Sequence, residues 1–160
     1  MALFLSRSVH KVDKKGRVSV PAAFRSTLGD ALSEGLSLTK PVNRLSCIEA
    51  APMARAHERM AQLGRLNADS EEYSALAMVT LGNMREIHFD PEGRVNLPDD
   101  LMKFASIDGS AVFVGMGPTF QIWNQDKLDA YIKNAEEIAA QNLDLLNPPA
   151  SMSPDLAPSS

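Results

Sequence analysis

The chain has little of what most catalytic or secreted proteins rely on: one cysteine, one tryptophan and three histidines in 160 residues. A lone thiol, Cys47, excludes an intrachain disulfide framework and any site built from several thiolates of one chain. It fits a reducing cytoplasm. No apolar run approaches the ~18 to 20 residues that a membrane span requires. The opening MALFLSRSVHK has a brief apolar patch but no basic leader and no small-residue cleavage site, so no secretory signal is expected. His10, His57 and His88 form no helical His-Glu-x-x-His spacing, no Gly-x-Ser-x-Gly is present, and neither MGPTF nor LGDALSEG resembles a phosphate-cradling loop. The expectation is a non-enzymatic, single-domain-sized soluble protein with no cofactor, metal, membrane segment or small-molecule substrate.

Charge is unevenly placed. The net charge is −4, yet the first 25 residues hold Arg7, Lys11, Lys14, Lys15, Arg17 and Arg25 against Asp13 alone, a local +5. The remainder carries −9. Such asymmetry points to an electrostatic footprint at one end of the sequence.

That basic end contains VDKKGRVSVP, residues 12 to 21, and the chain writes a related stretch, FDPEGRVNLP, at 89 to 98. They align without gaps at an offset of 77, with Asp13, Gly16, Arg17, Val18 and Pro21 matching Asp90, Gly93, Arg94, Val95 and Pro98. Val12, Val20 and Phe24 match Phe89, Leu97 and Leu101, and GLSLTKPVNRLSCIEA has the outline of SAVFVGMGPTFQIWN. This is an internal duplication of a ~45-residue unit.

In each copy a lead-in strand (SVHKVD; REIHFD) precedes a glycine turn. Alternation then puts Val18 and Val20 on one face with Arg17 and Ser19 on the other, and Val95 and Leu97 against Arg94 and Asn96. Proline opens a short helix, and two further strands close the unit. The expected divisions are repeat 1 over 7–54, a helical pair over 55–83, repeat 2 over 84–127, a C-terminal helix over 128–146 and a disordered Pro/Ser-rich tail over 147–160. In the helical pair, Asp69 and Glu72 stand at capping-box spacing. A ~45-residue unit buries too little apolar surface to fold alone, so two units sharing one small barrel are expected, with both arginine loops exposed.

Two readings of Arg17 and Arg94 stay open. In one, Asp13–Arg17 and Asp90–Arg94 close their own turns; in the other the arginines reach outward to DNA. Lys14 and Lys15 are different, because the second copy keeps the loop with Pro91 and Glu92 in their places. They add charge where the loop asks for none, as a phosphate-contacting loop does.

DKKGRVSVPAAFR, paired with its diverged copy DPEGRVNLPDDLM, is similar to the AbrB-type swapped-hairpin DNA-binding domain. Two copies flanking a helical pair resemble the MraZ family of bacterial transcriptional regulators, over about Arg7 to Asn124 and the helix beyond. The resemblance implies an α+β fold, a double-split (swapped-hairpin) β-barrel formed by both repeats with added helices between and after them. It implies a cytoplasmic, nucleoid-associated regulator that binds double-stranded DNA at short promoter repeats of the cell-division and cell-wall gene cluster, as a ring-shaped homo-oligomer. Family DNA-binding positions carry over onto Lys15, Arg17 and Arg94, and Lys14 joins them on charge alone. Two other classes remain: a protein-interaction module like the antitoxins of this fold, and a small hydrolase, which needs a pocket of converging titratable groups.

Overall fold

Each of the two related segments folds as strand, glycine turn, strand, short helix and closing hairpin. The structure is a computed structural model that describes residues 3–147. In the first segment the elements are β1 (Arg7–Lys11), β2 (Arg17–Ser19), α1 (Ala22–Leu28), a 3-10 turn (Gly29–Glu34), β3 (Leu36–Thr39) and β4 (Ile48–Pro52). Helices α2 (Ala54–Leu63) and α3 (Glu71–Val79) follow. The second segment then gives β5 (Arg85–Ile87), β6 (Arg94–Asn96), α4 (Asp99–Ala105), β7 (Ser110–Gly115) and β8 (Phe120–Trp123). The chain divides into two compact units, Met1–Gln125 and Asp126–Ser160, and α5 (Gln125–Gln141) supplies the helix of the second. The tail expected to be disordered lies, beyond Asn147, outside the described residues.

The local reasons are plain in sequence. Pro21 and Pro98 take the N-cap positions of α1 and α4 with φ of −48° and −59°, where a missing N–H leaves nothing unsatisfied. Asp99 and Asp100 occupy the first turn of α4, beside the positive end of the helix dipole. Helix α3 corrects one expectation. Its N-cap is Ser70, whose hydroxyl accepts from the Tyr73 N–H at 3.1 Å, and not Asp69, which stands one residue too early to reach the first free amides.

Pairing is antiparallel throughout. A six-stranded sheet runs β1-β7-β8-β4-β3-β5, and β2 and β6 form a separate two-stranded ribbon. Each lead-in strand crosses to the other segment: β1 pairs with β7, and β5 with β3. The fold is therefore α+β with an antiparallel sheet, and the hydrogen-bonded order ends at β1 and β5 without closing into a barrel.

One core joins both halves. Val18, Val20 and Phe24 are buried with their counterparts Val95, Leu97 and Leu101, together with Leu38, Ile48, Phe113 and Ile122. Phe4, placed before the first repeat in the sequence reading, is fully buried and packs its ring 5.3 Å from Phe24 and 5.0 Å from Phe120. Burying such a ring stabilises by about 1.5–3 kcal/mol. Its backbone exchanges hydrogen bonds with Gly117, and Gly115 lets that segment approach, since a Cβ there would collide with the Phe4 carbonyl.

Candidate nucleic-acid interface

The two glycine loops have one design. At the first, the Asp13 N–H donates to the Arg17 carbonyl at 3.0 Å and the Gly16 N–H to the Asp13 carbonyl at 3.0 Å. The Asp13 carboxylate divides its work: Oδ1 accepts from the Lys15 and Arg17 N–H groups, both at 2.9 Å, and Oδ2 accepts from Arg17 Nε at 2.7 Å. At the second, Asp90 Oδ1 accepts from the Glu92 and Arg94 N–H groups at 2.9 Å, and Oδ2 from Arg94 Nε at 2.8 Å. The backbone N–H of Arg17 and that of Arg94 are the leading reasons that Asp13 and Asp90 titrate below the ordinary carboxylate range.

The ribbon then sets both arginines on one surface. Val18 lies directly opposite Val95, and the flanking pairs are Arg17–Asn96 and Ser19–Arg94. Opposed residues share a face and neighbours alternate, so the valines point inward while Arg17, Ser19, Arg94 and Asn96 form the outer face. Val18 and Val95 are buried, Ser19 and Asn96 are exposed, and the two arginines are half-buried. An approximate twofold axis passes through the valine pair. Arg17 and Arg94 stand diagonally across it, about 7 Å apart along the strand direction.

Each loop is braced by the opposite segment. A Cβ on Gly16 would stand 2.9 Å from the Met102 methyl, 3.0 Å from the Leu97 carbonyl and 3.1 Å from Asn96 Oδ1. A Cβ on Gly93 would stand 2.6 Å from an Arg25 terminal nitrogen. Arg25 and Met102 are equivalent positions of the two copies, and Arg25 is held by its Nε donating to the Val20 carbonyl at 3.1 Å. Sequence reasoning counted Arg25 only as charge and put Ser19 and Asn96 on the right faces, but had no signal for the cross-segment placement of any of the three.

The electrostatics of the loops differ. Lys14 and Lys15 are exposed, and among the described residues no carboxylate pairs with either. Among the described residues Arg17 pairs with Asp13 alone. Arg94 pairs with Asp90 at 2.8 Å and with Glu92, Nη2 to Oε2, at 3.4 Å. Its pKa is raised, the Asp90 hydrogen bond leading. The four expected contact residues thus sit on two equivalent loops, of which the first is cationic and the second is not.

Elsewhere the chemistry is sparse. Among the described residues no group of three or more His, Cys, Asp or Glu is placed to hold a metal ion, and no helix is long and apolar enough to cross a membrane. Cys47 is buried, and burial with the nearby Glu49 charge pushes its thiol up to about 12. His57 and His88 are exposed; His10 is half-buried against Phe113, and burial lowers its pKa. In the groove beside α1 and α2, Arg55 and Glu58 neutralise each other at 3.0 Å.

Comparison with known proteins follows this geometry. Residues 80–146 match a family model described as "MraZ protein, putative antitoxin-like". The proteins named transcriptional regulator MraZ from Rickettsia canadensis (strain McKiel), Rickettsia akari (strain Hartford) and Rickettsia felis (strain ATCC VR-1525 / URRWXCal2) are each 40% identical over 139 residues. Those alignments cover 87% of this chain and 93% of each relative, whereas the family model matches only the second half. With matched loops, an exchanged strand pairing and this extent of identity, the chain belongs to the MraZ family.

Proposed function

We propose that the chain is a transcriptional regulator that binds double-stranded DNA through the outer face of the β2–β6 ribbon and its first loop. The observation that carries this is the division of labour at Asp13. One carboxylate oxygen closes the loop through backbone N–H groups, which leaves the cationic side chains of Lys14 and Lys15 with no structural task. Lys15 and Lys14 are assigned to phosphates, Arg17 to phosphate and guanine edge, and Arg94 to a secondary contact. Lysine is a point charge suited to phosphate, whereas arginine can bond guanine O6 and N7 together. A two-stranded ribbon is of a size that the major groove admits.

Few contacts per chain mean weak binding at physiological salt. Repetition on both partners answers this: a ring-shaped homo-oligomer on short direct repeats in the promoter of the cell-division and cell-wall cluster. The same proposal places the protein in the cytoplasm at the nucleoid, treats it as non-enzymatic, and takes the exchanged lead-in strands as the swapped-hairpin arrangement of a double-split barrel. The repeat and helix divisions 7–54, 55–83, 84–127 and 128–146 belong to it as well. The relatives' name, transcriptional regulator, supports the reading.

The antitoxin-like description of the family favours a second reading, a protein-interaction module with no DNA target of its own. A gel-shift assay with the upstream region of the chain's own operon separates the two. The DNA reading expects a shift at moderate salt, and for K15A a salt dependence shallower by about one phosphate contact. No shift by the wild type selects the interaction module, and an unchanged slope removes Lys15 from the phosphate contacts.

A further inference from the structure

The two loops are matched in backbone and exchanged by the approximate twofold axis through Val18 and Val95. That symmetry poses a problem for a protein that reads a directional site. With equal loops, one chain could engage the duplex in either of two orientations related by the axis. The residue at the third position of each loop breaks the equivalence. Lys15 and Glu92 donate their N–H groups to Asp13 and Asp90 at the same 2.9 Å, so their side chains leave matched points of matched loops. One carries a cation outward. The other returns a carboxylate to the loop's own arginine, 3.4 Å from Arg94 Nη2.

We propose that Glu92 sets the polarity of DNA binding, acting as a built-in anionic competitor on Arg94 that leaves the first loop of each chain the dominant DNA contact. This rests on the DNA-binding reading and assigns the second loop a secondary rather than an equal role. The charges around the site support it. Asp90 already holds Arg94 through Nε, and Glu92 covers a terminal nitrogen, the atom a phosphate or guanine would take. Arg25 lies across Gly93 without an ion pair to Glu92 among the described residues. Over the ten-residue loops the charge is +2 at the first and −1 at the second. The Glu92 side chain is 71% exposed, and so exposed a pair adds little to stability, which leaves its effect on an approaching polyanion as its main consequence.

The test is rescue of a crippled first loop. In an R17A background, E92K gives the second loop a lysine at the position equivalent to Lys15, while E72K makes the same charge change on exposed Glu72 of α3. Binding is measured by fluorescence anisotropy on a duplex from the upstream region of the chain's own gene, across a salt series. R17A/E92K is expected to bind about tenfold more tightly than R17A/E72K, with a salt dependence steeper by about one to two contacts. In the otherwise wild-type chain, E92Q is expected to tighten binding about threefold, and E72Q to change it less. Equal rescue by E92K and E72K, or no rescue by either, overturns the proposal. A wild type that fails to bind the duplex overturns the DNA-binding reading itself, and is told apart because no variant comparison is then needed.

Discussion

The loops at 12–21 and 89–98 are a controlled experiment carried within one chain. Their turns close with the same hydrogen bonds, and the distances within each turn and to its aspartate agree within 0.2 Å between the copies. Their surfaces differ by three charges. Whatever both loops share is what the turn and the ribbon require: the aspartate, the glycine, the inward valine and the proline that starts the helix. What only one loop has is free to serve something outside the fold. Arginine is the instructive exception, because it recurs yet is bound differently, to one carboxylate at the first loop and to two at the second.

The largest expected effect is on binding, and it is unequal. Removing the Arg17 guanidinium leaves Asp13 Oδ1 its two backbone donors, so the loop stays closed and the thermal midpoint of R17A is expected to remain near that of the wild type. Its DNA affinity is expected to fall about 10- to 100-fold, the loss of one bidentate base contact or more. R94A removes a guanidinium already covered by carboxylates and is expected to cost about threefold or less. Equal losses from R17A and R94A in an anisotropy titration would break the comparison in favour of two equivalent loops. Loss of the R17A fold would assign the arginine to loop closure.

A smaller contrast concerns stability and how each glycine is braced. Gly16 and Gly93 have φ of +84° and +79°, where a Cβ costs about 1–2 kcal/mol. Their neighbours differ. The added methyl of G16A presses on the Leu97 backbone carbonyl just past the ribbon, whereas the three atoms nearest that of G93A all belong to the side chain of Arg25, which can swing aside. Chemical denaturation is expected to find G16A destabilised by about 2–3 kcal/mol and G93A by about 1–2 kcal/mol. Reversal of that order would show that Arg25 is fixed more firmly than its Nε hydrogen bond to the Val20 carbonyl suggests, and would make it part of the second loop's structure.

Much of this is legible in the sequence. Alternation placed Val18 and Val95 inward, glycine and proline marked the turns and helix starts, and the mismatch at Lys14 and Lys15 singled out the charged loop. Alternation fixes the face a residue takes but carries no information about which strand lies beside it. The opposition of Ser19 to Arg94, the crossing of β1 to β7, and the seat of Arg25 on Gly93 therefore emerged only from the fold. Phe4 was missed for a related reason. Its partners, Phe24 and Phe120, lie 20 and 116 residues away, and a short apolar patch near the start of a chain has no periodicity of its own to read. The α3 cap was misplaced by one residue because Asp and Ser are adjacent there and both are good caps.

The smallest expected effect is a pH dependence that should be the same at both loops. The backbone N–H groups donated to Asp13 and Asp90 hold both carboxyls below their ordinary range in the folded chain. A depressed folded pKa means that the unfolded chain binds protons first. The stabilisation from each loop is then complete above the unfolded carboxylate value of about 4, and is lost as pH falls through that value and on through the folded one. D13N and D90N retain an oxygen for the backbone donors but cannot titrate. Each is therefore expected to flatten the fall of the thermal midpoint between about pH 5 and pH 3, and by the same amount, because the two loops present the same three donors. Unequal flattening would mean that Lys14 and Lys15, or Glu92, reach into loop closure, and the separation of shared scaffold from unshared charge would fail at its foundation.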